Sequence, residues 1–215
     1  MQCVSDLAKL RDCAIRRVRT LREIVAPIAS PLGSEDKRAL AFVTVELDNL
    51  IIVTLRQFTK SSLLGSRTAA GYHVTASVRP HTPQEAAALV FNSLNPAGYL
   101  KLKSPAAIDE EDELVFRDPK RVEKVLTDYA ASNLANVQLA LSLNAVVFSE
   151  VKVCRHFFSH RMRNTVEQVK VLANNVGVIT FADTENLLVV GRPGTGIRFI
   201  DGWLSDVENF VDLAA

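Results

Sequence analysis

Residues 147–176 read VFSEVKVCRHFFSHRMRNTVEQVKVLANNV, and they decide the fold class. Val147, Val151, Cys154, Phe158, Met162, Val166, Val169 and Ala173 recur at steps of three and four. That spacing marks one face of an amphipathic helix, and no glycine or proline interrupts it. The period predicts one continuous helix over 147–176. The same stretch holds Arg155, His156 and His160 within six residues. Arginine is always charged and can grip a phosphate through paired hydrogen bonds. Histidine moves protons near neutral pH.

Working outward, the upstream chain is helical too. Leu7, Leu10, Ala14, Val18, Leu21 and Val25 predict a helix over Val4–Val25. Its other face carries Lys9, Arg11, Arg16, Arg17, Arg19 and Arg22, read first as a solvated face and second as a surface for RNA phosphates. Ser34, Glu35 and Asp36 place acceptors and negative charge at the start of the next helix, which runs to about Lys60. Glu46, Asp48 and Asn49 interrupt its apolar stripe. A charge on a largely buried helix needs a partner, so Glu46 is a candidate partner for Arg155. Thr82-Pro83-Gln84-Glu85 and Asp118-Pro119 are two further helix starts. Ser132 to Asn144 is read as another helix or as a continuation of the one before it.

Ser61 to Arg79 has no sustained period, the helix from Thr82 stops near Asn95-Pro96, and Gly98 to Arg117 is irregular; together 61–117 is read as an elaboration packed around a helical core, a lid or a partner surface. Downstream of Gly177, Leu187–Val190 and Ile197–Ile200 flank Gly191-Arg-Pro-Gly-Thr-Gly196 and predict a small β-hairpin. A short helix over 201–213 closes the chain.

Composition sets bounds. The 215 residues are 48% hydrophobic and 23% charged, so a proper core can form in one domain. The net charge of +1 lacks the basic excess of many nucleic-acid binders, so RNA contact would need a local patch. Cys3, Cys13 and Cys154 have no metal or redox spacing and read as free thiols in a reducing cytoplasm. Met1 to Arg22 has no apolar core of a signal peptide, and Leu134–Phe148 is too short to span a bilayer.

Two motifs have competing chemical readings. Gly191–Gly196 lacks the Lys-Ser/Thr of a phosphate loop, and turn glycines explain it. His156 and His160 share a helix face at a zinc-binding spacing, but Phe157 stands where a metalloprotease has its glutamate. His73 and His81 are the remaining histidines that could complete such a site. Arg155 and His160 lie about 140° apart on an ideal helix. Arg155 borders the apolar stripe, where it faces solvent, a carboxylate or a second chain.

The segment Arg155-His-Phe-Phe-Ser-His160 resembles the R-x4-6-H signature of the HEPN superfamily. Those domains are all-helical, and many are metal-independent ribonucleases. The polar residue after the arginine (His156) and the position of the motif on a late helix also fit. The resemblance implies a mainly α, HEPN-like helical bundle spanning 1–215, with the elaboration at 61–117 and the hairpin plus short helix at 186–213 as departures. It implies Arg155 and His160 as catalytic residues. His156, Arg161 and Arg163 would contact substrate, with Glu46 and Ser159 in support. It implies RNA as substrate, no metal or cofactor, and a homodimer whose two motifs line one cleft. The implied setting is a cytoplasmic toxin or defence effector with a cognate antitoxin. The competing readings are a non-catalytic helical interaction module and a zinc-dependent hydrolase using His156 and His160.

Overall fold

A computed structural model describes residues 6–109 and 112–215. Cys3, the expected first turn at Val4, and Glu110 and Glu111 of the acidic run lie outside the described residues. Ten helices form among the described residues: α1 (Leu7–Val25), α2 (Ser34–Leu63), α3 (Pro83–Leu94), α4 (Pro96–Tyr99), α5 (Pro119–Asp128), α6 (Leu134–Ser142), α7 (Val147–His160), α8 (Arg163–Asn175), α9 (Thr184–Val189) and α10 (Phe199–Ala214). The protein is mainly helical, and β-pairing among the described residues is confined to isolated bridges.

The chain divides into two compact units, one of Met1–Ile15, Ile52–Asn144 and Phe210–Ala215, the other of Arg16–Ile51 and Ala145–Asn209. In the first, α3 begins as its sequence dictates. Thr82 accepts from Glu85 N at 3.1 Å, and Glu85 returns a bond by accepting from His81 N at 2.7 Å. Ala87, Ala88 and Phe91 of α3 then bury against Ile108, with Tyr99, Leu102 and Leu114 packed around them. The segment 61–117 holds the helix expected from Thr82, as α3. It contains α3 and α4 and has a small apolar core of its own. Glu113 ties it down, through Lys60 at 2.6 Å and Arg56 at 3.1 Å on the last turns of α2. Asp118 caps α5 by accepting from Lys120 N at 2.9 Å.

The second unit carries the motif. Val147, Val151 and Cys154 of α7 are buried, as are Val18, Leu21 and Val25 of α1 and Leu40, Val43 and Leu47 of α2. Glu150 is the polar centre of α7. It accepts from Arg192 Nη1 at 3.0 Å and Nη2 at 2.5 Å, and from Trp203 Nε1 at 2.8 Å. Arg192 also lies 4.2 Å over the Phe199 ring. A buried carboxylate is tolerated only with such partners.

Two expectations are corrected here. The helix over 147–176 is broken. Arg161 has a left-handed φ of 47°, its N–H bonds Phe157 O at 2.7 Å, and α7 ends at His160. Thr165 then starts α8 by bonding both the N–H and the carbonyl of Met162, at 3.1 and 2.7 Å. The apolar stripe misled because its middle is not core. Phe158 is half-buried and Met162 is 50% exposed, while Thr165, Val169 and Ala173 carry the buried face onward.

The C-terminal hairpin is absent. Leu187–Val189 form the end of α9, because Asp183 caps that helix by accepting from Asn186 N at 2.7 Å. Phe199 and Ile200 open α10. Between them only the turn survives, closed by the Gly191–Arg198 bridge and by Arg192 N to Ile197 O at 2.8 Å.

Candidate functional site

The C-terminal half of α7 projects its side chains partly into solvent. Arg155, His156, Phe157 and Phe158 are half-buried, and Ser159 and His160 are exposed. The buried residues Val147, Val151 and Cys154 hold this helix in the core at its other end. Cys154 is chemically quiet, because burial pushes its thiol far up, with the carboxylates of Glu150 and Glu185 adding to the shift.

Arg155 is anchored. Its Nε lies 3.6 Å from Asp48 Oδ2, a carboxylate that is 0% exposed on α2. The arginine side chain itself is 34% exposed. Glu46, the partner expected for Arg155, instead pairs with Arg17 of α1 at 2.5 Å. The helical period explains the difference. Asp48 falls one turn after the buried Thr44 and three residues before the buried Ile51, whereas Glu46 falls at the edge of that face. The sequence contained this signal in the spacing of Asp48 to its apolar neighbours.

His156 and His160 are brought together. One helical turn apart, their rings lie 4.7 Å centre to centre and are inclined by 65°. Arg155 and His160 are five residues apart, so α7 alone turns them about 140° from each other. Arg161 caps α7, and Arg163 is the first residue of α8; both are exposed. The break places them in a turn beside His160 rather than along one helix face.

Other sequence candidates resolve as follows. No group of three or more His, Cys, Asp or Glu able to hold a metal occurs among the described residues, and His73 Nδ1 bonds with Gly65 O at 3.0 Å. The glycine turn spends its amides internally: Thr195 N and Gly196 N both bond Arg192 O, and Ile197 N bonds Thr195 Oγ1. The basic face of α1 is matched by carboxylates, with Arg11 on Asp12 and Asp212, and Arg19 and Arg22 on Glu208. No single helix among the described residues is long and apolar enough to cross a membrane.

With this geometry in view, the chain was compared with protein-family models, with curated proteins and with solved structures. None matches. A guanidinium paired with a carboxylate can neutralise an oxyanion, and an imidazole pair with His160 exposed can accept and deliver protons.

Proposed function

We propose that the protein is a metal-independent endoribonuclease that acts through Arg155 and His160. The observation that carries this reading is the arrangement on α7. A guanidinium is anchored to a buried carboxylate, while a close pair of imidazoles sits at the exposed end of the same helix. RNA supplies its own nucleophile. A base takes the 2′-hydroxyl proton, the 2′-oxygen attacks phosphorus, and the bond to the 5′-oxygen breaks as an acid protonates that oxygen. The products are a 2′,3′-cyclic phosphate and a 5′-hydroxyl.

The roles follow from position. The 140° between Arg155 and His160 favours a cleft with two walls, as a homodimer would build. One His160 then serves as base and its counterpart as acid. Arg155 stabilises the charge on the phosphorane. His156, packed on His160, and the exposed Arg161 and Arg163 meet the flanking phosphates. Ser159 is an exposed neighbour on the same turn, and Glu46 has no part because Arg17 holds it. Such an activity suits a toxin or defence effector restrained by an antitoxin.

The test is cleavage of RNA in EDTA by the wild type beside His160→Ala and Arg155→Lys. The expected result is cyclic-phosphate product from the wild type, none from His160→Ala, and slower formation by Arg155→Lys, which keeps the charge and loses the fork. Equal cleavage by all three proteins, or by none, overturns the reading.

A second reading, a non-catalytic helical interaction module, is favoured by one observation: Arg155 already has an intramolecular carboxylate partner. It predicts no RNA cleavage by the wild type under any condition.

A further inference from the structure

The ion pair between Arg155 and Asp48 has a consequence beyond anchoring α7. Asp48 is fully buried beside Thr44, Leu47 and Ile51. Removing a carboxylate from water is costly, and a cation 3.6 Å away offsets that cost. The arginine pairs through its inner atom. Nε is buried and makes no hydrogen bond, so charge alone holds it toward Asp48. The exposure of the side chain therefore lies in its other atoms, the two Nη groups among them.

A guanidinium is a rigid plane carrying five N–H donors. Drawing its Nε side toward Asp48 restricts how that plane can turn. The two Nη groups can meet two oxygens of one phosphate.

We infer that Asp48 is a positioning residue: it orients the Arg155 guanidinium so that its outer nitrogens are preset for the transferring phosphate. The inference rests on the ribonuclease reading above. Asp48 acts on the phosphate through Arg155. A displacement of about 1 Å in such a group costs on the order of 100-fold in rate, so loss of the carboxylate should appear in kcat.

The experiment is a double-mutant cycle of Asp48→Asn and Arg155→Lys, with RNA cleavage measured in EDTA. Asp48→Asn keeps the shape of the side chain and removes its charge. It is expected to lower kcat about 10- to 100-fold while KM moves by less than about threefold. Added to Arg155→Lys, it is expected to lower kcat no further, because two residues acting through one group are not additive. A purely structural role predicts additive losses, and that result overturns the inference. A wild type that cleaves while Asp48→Asn keeps full kcat overturns it alone. A wild type that does not cleave overturns the ribonuclease reading and this inference with it. A second measurement needs no folded Asp48 variant. In the wild type, the Arg155 Nε–H resonance should exchange with water more slowly than that of the exposed Arg16. Exchange as fast as Arg16 removes the fixed guanidinium on which the inference depends.

Discussion

Replacing Arg155 with alanine removes the cation 3.6 Å from the buried carboxylate of Asp48. The loss of one partner of a buried pair costs about 1–3 kcal/mol. Arg155→Ala should therefore lower the midpoint of chemical denaturation, and its inactivity would not by itself report on chemistry. Arg155→Lys keeps the charge but loses the fork. It should unfold within about 1 kcal/mol of the wild type while cleaving more slowly, and urea titration read beside the RNA assay checks both. Arg161 offers the opposite case. A left-handed non-glycine residue is strained, so Arg161→Gly should gain about 0.5–1 kcal/mol in the same titration.

At the scale of elements, the α7 start and the glycine turn are held by carboxylates. Glu150→Ala would leave Arg192 and Trp203 Nε1 without their acceptor, and should cost about 3–5 kcal/mol by chemical denaturation. Asp206 accepts from Val147 N at 3.2 Å at the first turn of α7. Burial pushes its carboxyl up, although the N–H groups of Val147 and Val146 and the charge of Arg192 oppose the shift. The folded state therefore binds this proton more tightly than the unfolded chain, whose aspartate titrates near about 3.9. Stability from Asp206 is present below that value and is lost as pH rises through the folded one. Asp206→Asn keeps an acceptor for Val147 N and removes the titration. Its stability relative to the wild type should be more favourable at pH 7 than at pH 4, as urea midpoints at the two values would show.

At the scale of the molecule, the proposed cleft would need two copies, and closed twofold dimers are the commonest homo-oligomers. Light scattering on the eluting protein should give about twice the 23.6 kDa of the chain. A monomer at the concentrations that cleave RNA would remove the shared cleft and leave Arg155 and His160 to act within one chain.

The sequence by itself determined the helices whose ends are set by local chemistry. Thr82 with Glu85, Asp118 before Pro119, and Asp36, which accepts from Gly33 N at 2.8 Å, act within a few residues, so α3, α5 and α2 start where those residues stand. It also determined that the protein is helical, because the apolar period repeats along most of the chain. The tertiary structure decided what a period cannot encode. Whether Phe158 and Met162 belong to the core depends on what packs against them, and nothing in the stripe states that. The fate of Leu187 and Leu188 depended on the cap from Asp183, which Lys37 of α2 fixes at 2.8 Å. The partner of Arg155 was legible only in part: the face of α2 selects Asp48 over Glu46, but the approach of α7 to that face is a long-range event. Local hydrogen bonds are written into neighbouring residues. Burial and charge pairing across the chain are properties of the folded core.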